Sequence, residues 1–418
     1  MSEIVGVRGR EILDSMGNPT VEAEVWLDNG VIERASVPGG VPIGQFDAAG
    51  LRDGGARYGG RGVLKAAMNI NNLIEPELLG LDPSDQAGID GIMIELDGTA
   101  DKSRLGANAI LAVSLAVARV AAADHDLPLY AYLGGLGPYL LPTPLINAVK
   151  CFQEYMLVPH GASTFAEAIR MGTETFHALG MILGKSGYPM AVGGEGGFAP
   201  NFKKNSDAFK FLTDAIAEAG YEPGVQISLA MDASAGKSYR DGKYELAGEG
   251  GILSADELVD YYAKICTELP IVAIEDGMSE EDWDGWATLT KRLGGGVQLV
   301  GGELFATNPI RLERGVKYGA ANAVLVKPNQ IGSLSETLKV VSTAKASGYG
   351  VVISNGPGET EDTFIADLAV AAASGRIKAG SSAGLCGTAK YNQLLRIEES
   401  LGGTAKYAGF SGVRRVKF

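Results

Sequence analysis

The chain has 418 residues, 46% hydrophobic and 21% charged, enough to bury one large core or two smaller ones. A formal net charge of -14 and a pI near 4.8 set a negative surface against nucleic acid and anionic membrane, so neither is expected as a partner. Cys151, Cys266 and Cys386 make no CxxC pair and no disulfide framework, which fits a reducing cytoplasm.

Met1 leads into IVGVRGREILD, an alternating strand pattern rather than a charged start and apolar core, so no signal peptide is expected. Residues 4–37 read as three strands, with Asp28-Asn29-Gly30 as a hairpin turn. A Gly- and Pro-rich loop, VPGGVPIGQFD, follows, then helical patterns over 61–76, 83–93 and 108–125. The most apolar stretch, Ala107 to Ala123, is interrupted by Asn108, Ser114 and Arg119; it reads as too short and too polar for a bilayer and as a buried helix. Residues 1–135 are thus expected to form an α+β domain.

From 136 to 418 the rhythm becomes strand, then helix, repeated. Strands are predicted at 189–193, 226–232, 271–275, 297–301, 322–327, 350–354 and 376–379, with amphipathic helices at 205–219, 254–268, 308–317, 333–346 and 360–373. That alternation predicts a parallel sheet closed into a β/α barrel.

Polar residues sit where the apolar strands end: Asp232 after QISLAM, Glu275 after IVAI, Lys327 after AVLV. Singly, each could be a helix cap or a surface charge. Together, at the carboxyl edge of a barrel, they describe a metal site with a base beside it. Glu195 lies in GGEGG, where glycine freedom permits close ligand approach. Oxygen ligands alone favour Mg²⁺ over zinc. His125, His160 and His177 read as structural, and no nucleophilic triad or GxSxG elbow assembles. GMILGKS at 180–186 has one residue too few between its glycines for a phosphate loop and reads as a helix end.

In family order, REILDSMGNPTVEAEV, LGANAILAVSLAVARVAA, GEGGFAPN, IEDGMSEEDWDGW, LVKPNQIGSLSET, PGETEDTFIADLAV and AKYNQLLRIEE closely resemble the enolase family over nearly the whole chain. The resemblance implies an N-terminal α+β capping domain on an enolase-type barrel whose first strands depart from βα order. It also implies a homodimer or larger oligomer. It casts Asp232 and Glu275 as metal ligands and Lys327 as the base that removes the proton next to a carboxylate. Glu195 becomes the acid that helps the leaving group depart. Lys390 would hold the substrate carboxylate, and Gln153-Glu154 would lie near the leaving group.

The departures from that pattern fall in the same site. Where the family carries a serine that binds a second Mg²⁺, this chain reads Gly39-Gly40-Val41-Pro42-Ile43, leaving Gly39 and Gly40 as backbone contacts to substrate and one Mg²⁺ rather than two. The histidine loop is shortened between Asn147 and Gln153. A third metal-ligand aspartate is replaced by Gly302, with Glu303 beside it as the candidate substitute. The His-Arg-Ser that grips phosphate and carboxylate has become Asn355-Gly356-Pro357. Charge-assisted bonds of this kind contribute about 1.5–3 kcal/mol each, so several losses predict poor turnover of 2-phosphoglycerate. The favoured expectation is an enolate-stabilising enzyme of altered chemistry acting on a small anionic substrate. Carboxyphosphonoenolpyruvate synthases of phosphonate pathways are the nearest precedent, and a nucleotide-activated substrate is among the options. A non-catalytic relative with a binding role, and a glycolytic enolase, are the alternatives.

Overall fold

The computed structural model describes residues 2–40, 44–151, 154–193, 196–246 and 251–412. An antiparallel meander opens the chain: β1 (Ile4–Leu13), β2 (Pro19–Leu27) and β3 (Ile32–Ser36). Alternation along β2 buries Val21, Ala23, Val25 and Leu27 on one face. The helix Ala107–Asp124 packs against that sheet. Its length and composition would suit a membrane, contrary to the sequence expectation, yet 78% of it is buried inside the fold. Its alanines are what let it lie close to β2 and β3.

The second region is a barrel built from β4 (Thr143–Pro144), β5 (Ile146–Lys150), β6 (Glu154–Val158), β7 (Ser228–Asp232), β11 (Ile271–Glu275), β12 (Gln298–Gly301), β13 (Ala323–Val326), β14 (Gly350–Ser354) and β15 (Gly375–Lys378). A small antiparallel sheet, β8 (Tyr239–Arg240), β9 (Lys243–Leu246) and β10 (Gly251–Leu253), is inserted after β7. Pairing is parallel from β7 through β15 to β4. It is antiparallel between β5 and β6 and between β6 and β7. Residues 143–150 close the barrel, since β4 pairs with β15 and the next strand, β5, pairs with β6. The first strands therefore break βα order, as the resemblance implies.

Local sequence sets where the outer helices begin. Ser254 and Glu257 form a reciprocal cap on Ala255–Glu268, Ser333 caps Leu334–Ala346, and Asn308 with Pro309 opens Pro309–Tyr318. The phosphate-loop look-alike at 180–186 lies at the end of the helix Phe165–Lys185. One strand expectation fails. Residues 189–193 show only an isolated bridge between Val192 and Phe198, because two consecutive helices, Phe165–Lys185 and Asn205–Glu218, span the connection from β6 to β7. Inside the barrel, Leu145, Met156, Val158, Ala230, Ala273, Val300, Ala323, Leu325 and Val352 form a separate apolar core.

Charged contacts clasp the two regions, Lys102 to Glu336 at 3.1 Å and Arg119 to Asp362. Arg119, on the helix Ala107–Asp124, grips Asp362 at 2.8 and 2.9 Å, and Asp362 also accepts from Ser36 N. Thr360 and Ser36 share a further hydroxyl contact at 2.8 Å. This holds the segment after β14 against the meander. Both carboxylate and guanidinium are mostly removed from water, so deleting one leaves the other uncompensated. Asp362→Ala is expected to lower unfolding free energy by about 2–4 kcal/mol, read from urea denaturation. A change under about 0.5 kcal/mol would mean that the clasp contributes nothing.

Candidate active site

A cavity of about 440 Å³ opens where the carboxyl ends of the barrel strands meet residues 37–40 and 44–52 of the N-terminal region. Register determines its floor. Glu154 lies opposite Asp232, and Asp232 opposite Glu275, so three carboxylates form one row across β6, β7 and β11. Asp276 joins them. Its φ of 44° turns the chain just past β11, and its carboxylate accepts from the N–H groups of Gly302 at 2.8 Å and Glu303 at 3.0 Å. Oxygens of Asp232, Glu275 and Asp276 lie within 4.8 Å of one another, so these three could hold a metal ion.

The row is balanced by a lysine that the sequence reading did not select. Lys378, closing β15, places its ammonium 2.9 Å from Glu275, 3.1 Å from Asp232 and 3.3 Å from Glu154. The expected carboxylate holder, Lys390, is elsewhere: it is fully buried, bonded at 2.7 Å to both Glu359 and the Thr360 carbonyl, and does not line the cavity. It sits on the helix Leu385–Leu401, whose inner face packs against that segment rather than opening into the barrel. Lys378 is the lysine that reaches the acids.

Lys327, immediately after β13, lines the cavity as expected. Glu303 also lines it, because β12 ends at Gly301 and frees the chain to turn. Glu303 is not the third member of the acid cluster, however. Its Oε2 lies 2.6 Å from where a Cβ on Gly44 would be, beside Asp47, and Asp276 completes the cluster instead. A Cβ at Gly302 would come within 2.7 Å of Asp276 Oδ2, so Asp276 occupies the room that a side chain at 302 would need.

The opposite wall is formed by two loops whose own side chains are uncharged at 39–40 and 355–357. Gly39, Gly40, Asn355, Gly356 and Pro357 all line the cavity. Gly39 N donates to Gly358 O at 2.7 Å and Gly40 N to Pro357 O at 2.9 Å, so the two loops run side by side. The approach requires glycine, since a Cβ at Gly39 would meet Asp14 Oδ2 at 2.4 Å. The Asn329 amide fills the space beside Gly356, where a Cβ would lie 2.7 Å from its Oδ1. Arg52 also lines this end, but its guanidinium is committed to the carbonyls of Pro19, Gly39 and Arg61. Lys150 and Lys237 stand exposed at the rim.

Electrostatics follow from this crowding. Burial, reinforced by Asp232, pushes the Glu275 carboxyl up to about 8. Burial, with Asp232 and Glu303, pushes Asp276 up to about 7. Burial acts to lower the pKa of Lys327, but Glu275, Glu303 and Asp232 outweigh it, and the ammonium stays protonated. The same balance raises Lys378.

Glu195 and Gln153 lie outside the described residues. The three histidines stand apart from the cavity: His160 Nε2 meets Ser228 Oγ at 2.6 Å, His125 meets Ser84, and His177 lies within the helix Phe165–Lys185. Cys266 and Cys386 are thiols outside any disulfide.

Two family models account for this arrangement. The one described as "Enolase, N-terminal domain" matches residues 4–133, and the one described as "Enolase, C-terminal TIM barrel domain" matches residues 145–416. Together they span the meander, the barrel and the acid row between them, and the chain belongs to the enolase family.

Proposed function

We propose that this protein removes a proton next to a substrate carboxylate with Lys327 as base, on a substrate other than 2-phosphoglycerate. The observation that carries the reading is Lys327 sharing one cavity with the cluster Asp232–Glu275–Asp276. A base at one wall and clustered oxygen donors at another suit enolate formation. The donor set fits a hard divalent cation, since three all-oxygen ligands converge and two of them resist ionising without one. Asp232, Glu275 and Asp276 would hold Mg²⁺, which supplies charge to stabilise an enediolate. Neutralising these acids also removes the field that keeps Lys327 protonated, which a general base requires.

The uncharged wall at Asn355-Gly356-Pro357 supports the second half of the reading. Among the described residues, the cation at that wall, Arg52, is held by backbone carbonyls, whereas at the rim Lys237 stands exposed and Lys150 pairs with Glu154 at 2.8 Å. Such a distribution suits an anionic substrate that extends toward the rim, the chemistry of a carboxyphosphonoenolpyruvate synthase or a related phosphonate-transferring enzyme. A binding protein without turnover is the competing reading, and the closed ion-pair network of Lys378 favours it.

Exchange of the α-proton separates the two. With hydroxy-, phospho- or phosphono-carboxylates that carry a hydrogen on the α-carbon, and Mg²⁺ in D₂O, the protein is expected to wash out the α-proton, and Lys327→Ala to slow this at least about 10³-fold while leaving Mg²⁺ binding intact. No exchange with any such acid would favour the binding reading. Ordinary steady-state turnover of 2-phosphoglycerate would overturn the altered chemistry.

Metal affinity carries its own pH signature. Glu275 and Asp276 have raised pKa values, so their protonated forms stabilise the metal-free fold at low pH, and that stabilisation is lost as pH rises through 7 to 8. Mg²⁺ must displace those protons. Calorimetric affinity is therefore expected to strengthen about tenfold per pH unit for each proton released, up to pH about 8, then to level off. Asp276→Asn should flatten the slope. Equal affinity at pH 6 and pH 8 would show that these carboxyls do not bind the ion.

A further inference from the structure

Arg376 is a buried cation that the mechanism above does not use and that, unlike Lys102 and Lys390, has no carboxylate partner among the described residues. It lies on β15 two residues before Lys378, so both side chains share one face of the strand. Lys378 reaches across to Glu154, Asp232 and Glu275, which fixes that face as the barrel interior. Arg376 is 1% exposed, and none of Nε, Nη1 and Nη2 has a hydrogen-bond partner.

The surroundings offer no carboxylate to pair with it. The interior core contributed by β6, β7, β11, β13 and β14 at this depth is apolar, including Val158, Ala230, Ala273, Ala323 and Val352. The nearest interior carboxylates are those of the row above, and they are already held by Lys378. Burial alone pushes the guanidinium down to about 9, with no carboxylate acting in the other direction. A guanidinium remains charged under ordinary conditions, so a full positive charge and its N–H donors face an apolar interior. Water could satisfy the donors but not the charge.

We propose that Arg376 binds a small monovalent inorganic anion, of halide size, inside the barrel beneath the acid row. The inward positions of β7, β11 and β13 at this end carry alanines, Ala230, Ala273 and Ala323, rather than larger side chains. The lower end of the barrel is covered by the segment after Tyr407: Gly409–Gly412 packs on β15, and Thr143 Oγ1 donates to Gly409 O at 3.3 Å. The ion would therefore be enclosed when the chain folds rather than exchanged at an open site. Gln298 reaches the same interior, with its Oε1 buried and lacking a donor, and its amide lies over Gly350. Since the O and N of an amide are assigned rather than seen, rotating it would offer an NH₂ to the anion.

Two measurements on the full chain test this. Urea unfolding would be followed with chloride replacing gluconate at constant ionic strength. A folded-state anion makes the folded-to-unfolded ratio rise up to tenfold per tenfold increase in chloride above its Kd. Arg376→Gln is expected to abolish that dependence, and equal chloride dependence in variant and wild type would overturn the proposal. If the variant fails to fold, the wild type still decides. Protein unfolded and refolded in sodium bromide, then crystallised, is expected to show an anomalous peak within hydrogen-bond distance of the guanidinium. Only water there, or Gln298 bonded directly to Arg376, would overturn it.

Discussion

The structure depends on keeping three buried carboxylates side by side. Glu154, Asp232 and Glu275 are brought together by strand register, not by loops, because each faces the next across a ladder. Like charges a few ångströms apart repel by about 3–4 kcal/mol per pair at an effective dielectric near 20. The row survives because Lys378 reaches all three from the opposite side of the barrel. Slipping any of these strands by one residue would turn its acid outward among the helices and strand that lysine. Barrel closure and site assembly are therefore one event: the same pairing that buries Ala230 and Ala273 in the interior aligns the acids above them.

The N-terminal region supplies the cavity's other wall and holds it by polar contacts. Asp14 fits between Gly39 and Gly358, within 2.4 and 2.5 Å of where their Cβ atoms would be, and also accepts from Met16 N and Asn18 N. Arg311 stacks 3.7 Å over the Phe46 ring and also lies over Trp283, tying the loop that carries Asp47 to the barrel. With Arg119 and Asp362, these contacts position residues 37–40, 44–52 and 355–362 against each other. The wall is thus held at its supports and carries no charged side chain at Gly39-Gly40 or Asn355-Gly356-Pro357, which suits selection there by shape and hydrogen bonding.

The parts legible in the sequence were those where an apolar run ends in a charge. Asp232 follows three apolar residues and Glu275 and Lys327 follow four each, and each lines the cavity. Lys378 was hidden because GRIK offers only one apolar residue between two cations, which resembles a surface segment. Period-two reading would have found it, since Arg376 and Lys378 must share a face. Lys390 drew attention through its motif, but a motif on a helix does not say which way the helix faces, and this one presents it to Glu359. Asp276 was missed for a different reason. Strict alternation assigns neighbours of Glu275 to the other face, and only the left-handed turn at Asp276 cancels that rule. The pair β5 and β6 was obscured because INAVK and EYMLV carry few polar residues and only three residues separate them.

Two departures from the enolase pattern look like simple losses in the sequence and are not so in space. A glycine at 302 removes a carboxylate, yet the vacated volume is filled by Asp276, which the freed N–H groups of Gly302 and Glu303 hold in place. The two arrangements exclude each other, because any side chain at 302 would displace Asp276. A glycine at 356 likewise vacates space, and the Asn329 amide fills it. One replacement preserves negative charge and the other leaves no positive charge. Neutral drift gives no reason for that asymmetry. Under the proposed reading the asymmetry has a cause: Lys378 meets Asp232 and Glu275 while Asp276 is held by backbone N–H groups, and a cation at the three acids would complete that balance.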